Sequence, residues 1–165
     1  MAATVLFVCV ATAPRVFAQE SAANDAALAR EVRRAPISLA RGLSAAHTRG
    51  TPISAKFELE DGKPQLSVYT AQDGHFWEVI INHRTGRIAE AKEIKEGEDL
   101  AAAKSQREAM TTGKRSLNVA LRRALRENPG SRVVSVVPSL SAGRPVAAVR
   151  LVRGKTFKTV SEALD

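Results

Sequence analysis

The sequence predicts an α+β fold of two tandem modules, each a helix followed by a three-stranded antiparallel sheet. Three observations carry this expectation: strict apolar alternation over 53–60, Asp-Gly dipeptides at 61–62 and 73–74, and a second helix-then-strands pattern that opens near Ser116. Alternation of period two marks a half-buried strand. Asp-Gly suits a two-residue hairpin loop, because type I′ geometry needs positive φ at both central residues.

In the first module Ser38 can cap a helix whose Leu39, Ala40, Leu43 and Ala46 share one face. The two Asp-Gly turns then fix the register of strands at 53–60, 64–72 and 75–82. Phe57 pairs with Leu66, Ala55 with Val68, Val68 with Val79, Leu66 with Ile81 and Thr70 with Trp77. All of these fall on one face, with Ile53 and Leu59 beside them, and a one-residue slip would scatter the set. Trp77 is expected in the core and Glu58 in solvent.

In the second module Ser116 precedes a helix with Leu117, Ala120, Leu121, Ala124 and Leu125 on one stripe, ended by Asn128-Pro129-Gly130. Strands are expected at 133–140, 145–152 and 156–160. The turn at 142–144 parallels that at 61–63, each followed by Pro. A three-residue loop around Gly154 would set Phe157 beside Val149.

The resulting division is a signal peptide at 1–18, an N-terminal arm at 19–35, a first module at 36–95, a connector helix at 96–113 and a second module at 114–165. The leader reading rests on the apolar run from Val5 to Ala13 and on Val16 and Ala18 at the −3 and −1 positions of a cleavage site. It implies a periplasmic or secreted bacterial protein with no transmembrane segment after cleavage. The single Cys, Cys9, lies inside that leader, so disulfides, thiolate zinc sites and a thiol nucleophile are not expected in the mature chain.

Charge is divided unevenly. Residues 19–99 hold 11 Lys/Arg against 13 Asp/Glu, and residues 100–165 hold 13 against 4. A basic second half invites an acidic protein or an anionic envelope polymer, and export argues against nucleic acid.

The hairpins at Asp61-Gly62-Lys63-Pro64 and Ala142-Gly143-Arg144-Pro145, the helix starts Ser38-Leu39 and Ser116-Leu117, and the stretch from Trp77 through Thr85-Gly86-Arg87 resemble the PepSY domain. Asn82 stands where that family's closing turn usually has Asp, and the second copy ends without a Thr-Gly turn. The resemblance implies an envelope or extracellular protein that modulates or inhibits a peptidase, with no catalytic residues to carry over.

The residues themselves give no enzyme signature. No nucleophile elbow, phosphate loop or convergent ligand set occurs, so no catalytic residue, cofactor or metal is expected. Two candidate surfaces remain. Arg115, Arg122 and Arg126, with Arg123 beside them, form a basic stripe opposite the apolar face of the second helix. Tyr69, Phe76 and Ile80 point away from the first helix as an apolar patch, unless the other module or the 98–110 helix covers it. The expected function is that of an exported, non-catalytic binding or regulatory protein acting on a protein partner, a peptidase being the class the resemblance implies. The alternative is an envelope protein whose basic module holds anionic lipid headgroups or polysaccharide.

Overall fold

Asp61 and Gly62 take φ of 48° and 73°, and Asp73 and Gly74 take 51° and 84°. Both dipeptides therefore make the primed hairpin turns that Asp-Gly favours, and the register follows from them. Phe57 faces Leu66, Ala55 faces Val68, Val68 faces Val79, and Thr70 faces Trp77. The computed structural model describes residues 15–165, with side chains from Ala23 onward. Most of the leader expected at 1–18 lies outside the described residues, and 15–18 begin the first helix.

The elements run α1 (Arg15–Arg34), α2 (Leu39–Ala46), β1 (Thr51–Glu60), β2 (Lys63–Gln72), β3 (His75–Ile81), β4 (Ile88–Glu93), α3 (Gly97–Thr112), α4 (Leu117–Glu127), β5 (Arg132–Ser141), β6 (Arg144–Arg153) and β7 (Thr156–Ala163). A short 3-10 turn at His47–Arg49 follows α2.

The expected two tandem modules are corrected here. All strands belong to one seven-stranded antiparallel sheet in the order β4-β3-β2-β1-β5-β6-β7. The seam is the β1–β5 pair, where Ala55 faces Val136 and Lys56 faces Ser135. An isolated three-stranded sheet would leave the β1 edge unpaired. Pairing β1 with β5 removes that edge and buries Ala55 and Val136 together. One apolar cluster accordingly contains Leu43, Phe57 and Val68 from one half and Leu121, Val149 and Leu151 from the other.

Helices α2 and α4 lie over the face that carries Ala55, Phe57, Val68, Val136 and Val149, burying Leu39, Leu43, Leu117, Leu121 and Ala124. Helices α1 and α3 lie over the opposite face. Arg150 and Arg132 point to that face by register and reach α1, Arg150 through Asp25 and Arg132 through the Ala35 carbonyl. On the same face Ser54 donates to Gln106 of α3 at 2.7 Å. The segment expected as an arm at 19–35 thus falls within α1 up to Arg34, and its Leu28, Ala29 and Val32 are buried.

Four local expectations change as well. Ile53 was expected beside Phe57, but a bulge between Pro52 and Ser54 turns it to the opposite face, where it packs with Ala71, Phe76 and Ala103. Trp77 has the expected register yet is only half-buried, because it sits near the margin of the helix-covered area. Phe157 faces Val152, and Val149 faces Val160. The loop holds two residues, with Gly154 alone at positive φ (62°), the pattern of a type II′ turn. Finally, three strands are expected in the first module, and Ile88–Glu93 adds a fourth, β4. It forms because Asn82 Oδ1 accepts from the N–H groups of Arg84 and Thr85, and Gly86 at φ 73° returns the chain antiparallel to β3.

Candidate interaction surface

Helix α4 turns Leu117, Ala120, Leu121 and Ala124 into the core, so Arg122 and Arg126 face solvent on the reverse side. Arg115 precedes the helix on the same stripe and lies 3.9 Å from Asp165. Ser116 is the N-cap residue, but its side chain makes no capping bond, whereas Ser38 Oγ accepts from Arg41 N–H at 3.3 Å. Arg123 departs from the stripe. It lies on the flank of α4 above β7 and reaches Glu162, whose side chain is 5% exposed, at 3.5 Å. Arg122 and Arg126 have no ion-pair partner among the described residues. The four arginines therefore divide into two free cations, one loosely paired, and one tied to a buried carboxylate.

Lys158 of β7 extends the basic surface, donating to Asn128 Oδ1 at 2.8 Å, while Asn128 itself donates to the Ala124 carbonyl and closes α4. On the other face Arg150 makes two hydrogen bonds to the Asp25 carboxylate, at 2.9 and 3.1 Å, and stacks 4.1 Å from the Phe157 ring centre. Sequence reasoning missed Lys158 and Glu162. Lys158 falls within the strand expected at 156–160, Glu162 lies beyond it, and the proximity of both to α4 depends on the packing of that helix.

The apolar candidates do not form one open patch. Phe76 is 4% exposed, packed with Ile53, Ala71 and Ala103 beneath α3. Tyr69 and Ile80 are half-buried. The Tyr69 hydroxyl donates to Glu78 Oε1 at 3.1 Å, and Lys56 Nζ sits 5.7 Å from the ring centre. Burial pushes the phenol up to about 12; the negative Glu78 adds to this, and the Lys56 cation opposes it.

Two clefts open at the end of the sheet where β1 begins. One, of about 490 Å³, is lined by His47, Gln72, Asp73, Arg107 and Thr111. The other, of about 290 Å³ between α2 and α4, is mostly apolar, with Leu43, Pro52, Met110 and Leu117 around it. Asn118 borders the second, and its Oδ1 is buried without a hydrogen-bond partner among the described residues. His75 Nδ1 lies 2.7 Å from Glu93 Oε1, and that hydrogen bond holds the Glu93 carboxyl below its usual range. Among the described residues no three His, Cys, Asp or Glu side chains gather where a metal could bind. No described helix is long and apolar enough to cross a membrane.

No protein-family model matches the chain, and no curated protein matches it. Among solved structures, the chain is similar to a crystal structure described as a "putative lipoprotein" from Clostridium difficile 630. The match has 15% identity over 72% of this chain and 78% of that one, and a TM-score of 0.43.

Proposed function

We propose that this chain is an exported, non-catalytic binding protein of PepSY type that acts on another protein through its basic second half, a peptidase being the first partner class to test. The observation that carries the reading is the outward stripe of Arg115, Arg122 and Arg126. Arg122 and Arg126 are presented by α4, whose opposite side buries Leu117, Ala120, Leu121 and Ala124, and Arg115 lies just before that helix. Arg122 and Arg126 add nothing to the core and have no ion-pair partner among the described residues, and Arg115 is held only loosely by Asp165. The peptidase class rests on the sequence resemblance alone.

The test is capture from an envelope extract by the wild type and by a variant with all three arginines replaced by Gln. Each exposed pair contributes about 0.2–1 kcal/mol. Together the substitutions should weaken retention of the partner several-fold or more, with the melting temperature almost unchanged. Raising salt should do the same, since the Debye length falls to about 3 Å at 1 M. Retention that ignores both changes overturns the reading. The anionic-polymer alternative draws on the same charge. Equal loss of binding to phosphatidylglycerol vesicles, with no protein retained, would favour it.

A further inference from the structure

We infer that the outer edge of β7 is a strand-addition site for an extended acidic segment of a partner protein. This deepens the proposed function and rests on its reading of the chain as a protein-binding molecule. Two observations carry it.

The first is the state of the edge. Leu164 N–H donates to the Pro145 carbonyl at 2.9 Å, and Arg153 faces Thr156 across the two-residue loop. In an antiparallel ladder, hydrogen-bonded and non-bonded pairs alternate. Thr156, Lys158, Val160 and Glu162 therefore direct their backbone groups to β6, whereas Phe157, Thr159 and Ser161 direct theirs outward. Among the described residues no strand takes them up. Protected edges are short, bulged, or studded with charge or Pro. β7 is eight residues long, pairs with β6 in unbroken register, and contains no Pro. Glu162 is neutralised by Arg123, which leaves Lys158 as its one free charge.

The second is what the same edge receives elsewhere in the sheet. Asp73-Gly74 closes the β2–β3 hairpin with the same two-residue loop, so Phe76, Glu78 and Ile80 face outward from β3. There β4 takes them up, and Ile94 N–H extends the ladder by donating to the Phe76 carbonyl at 2.8 Å. β4 carries Glu90 and Glu93 against one cation, Lys92. At β7 the surroundings select acid more strongly, since residues 114–165 hold 11 Lys/Arg against 3 Asp/Glu. Lys158 lies on β7 itself, and Arg123 stands above the strand on the flank of α4. A second copy of the chain is a poor occupant, because antiparallel pairing of two β7 strands would set these cations against each other.

The probe is a fluorescein-labelled peptide, Ser-Glu-Val-Glu-Val-Glu-Val-Ser, with Ser-Glu-Val-Glu-Pro-Glu-Val-Ser as a control of equal charge that cannot complete a ladder. The full-length chain should bind the first about tenfold more tightly than the second, since each lost ladder bond removes about 0.5–1.5 kcal/mol. Thr159→Pro removes one outward N–H and no bond to β6, and should cost about tenfold. Lys158→Glu should cost about threefold. Amide exchange at Phe157, Thr159 and Ser161 should slow on binding. If Thr159→Pro unfolds the chain, the two peptides against the wild type decide the matter. Equal binding of both peptides, or of neither, overturns the site and leaves the arginine-stripe measurement standing by itself. A wild-type dimer that Thr159→Pro converts to monomer assigns the edge to a second copy and also overturns the proposal.

Discussion

At one margin of the sheet β4 is six residues long, carries Glu90, Lys92 and Glu93, and meets β3 through a bulge between Ile80 and Ile81. At the other margin β7 is longer, unbroken in register and nearly free of unpaired charge. The two halves that end in these margins share one core, yet one is slightly acidic and the other strongly basic. Stability is thus held in common while surface chemistry is not. A chain built this way can keep a well-packed scaffold and devote one margin to binding.

The largest expected effect tests whether the core is shared. Leu121 lies in α4, over the basic half, and is 1% exposed. Leu121→Ala should cost about 2–5 kcal/mol. The single Trp, Trp77, lies on β3 in the other half. Its fluorescence should therefore report the full loss, in one transition that shifts with the helical signal. A Trp77 transition left in place would mean that the halves unfold separately and that the seam does not couple them.

Next in size is a contrast between neighbouring arginines. Arg123→Gln strands the Glu162 carboxylate in a site where its side chain is 5% exposed. Leaving a buried polar group unsatisfied costs about 1–3 kcal/mol. Arg122→Gln, on the solvent side, should stay within about 0.5 kcal/mol of wild type. Chemical denaturation of the two variants separates them, and equal losses would show that Arg123 does not hold β7 to α4.

Smaller still is Asp25→Asn, which weakens the tie from α1 to Arg150. The pair is partly exposed, with side chains at 44% and 35%. A loss of about 0.2–1 kcal/mol is expected, together with faster amide exchange in α1. Unchanged exchange would mean that Leu28, Ala29 and Val32 hold α1 unaided.

Much of the closed half was legible because local chemistry dictates it. Asp61-Gly62 and Asp73-Gly74 set two turns, and period-two alternation set the faces, so the Phe57–Leu66 and Val68–Val79 pairs follow without tertiary information. The seam was not legible. Ala55 and Val136 are ordinary strand residues, and their pairing depends on an edge that must be covered, which no local pattern names. The bulges next to Ile53 and Val134 flank that seam; Pro52 marks the first, but the strict alternation from Ile53 onward continues past it, so the side assigned to Ile53 was reversed. At the candidate surface, helical spacing correctly turned Arg122 and Arg126 outward. It could not separate Arg123 from them, because Glu162 comes from a strand 39 residues later in the sequence. Phe76 was placed on the correct face of the sheet, but its burial depends on where α3 lies.

The smallest expected effect leaves stability at neutral pH almost untouched and compares equivalent positions in the two halves. Tyr69 lies one residue past Val68 on β2, as Arg150 lies one residue past Val149 on β6, and both point to the face under α1 and α3. Arg150 meets the Asp25 carboxylate as a paired cation, whereas Tyr69 meets Glu78 as a neutral donor. Tyr69 is the only Tyr in the chain, so phenolate absorbance titrates it alone. Its midpoint should fall at about 12 in the folded protein. The folded value lies above the ordinary value of 10, so the neutral phenol is the form the fold favours. Its contribution to stability is complete below pH 10 and is lost as pH rises through about 12. Glu78→Gln removes the charge that opposes ionisation and should lower the midpoint. Lys56→Gln removes the opposing cation and should raise it. A native-state midpoint of 10 that neither substitution moves would place the phenol in open solvent. The Tyr69–Ile80 side of the sheet would then be a free surface, and the contrast between the two halves would fail at this position.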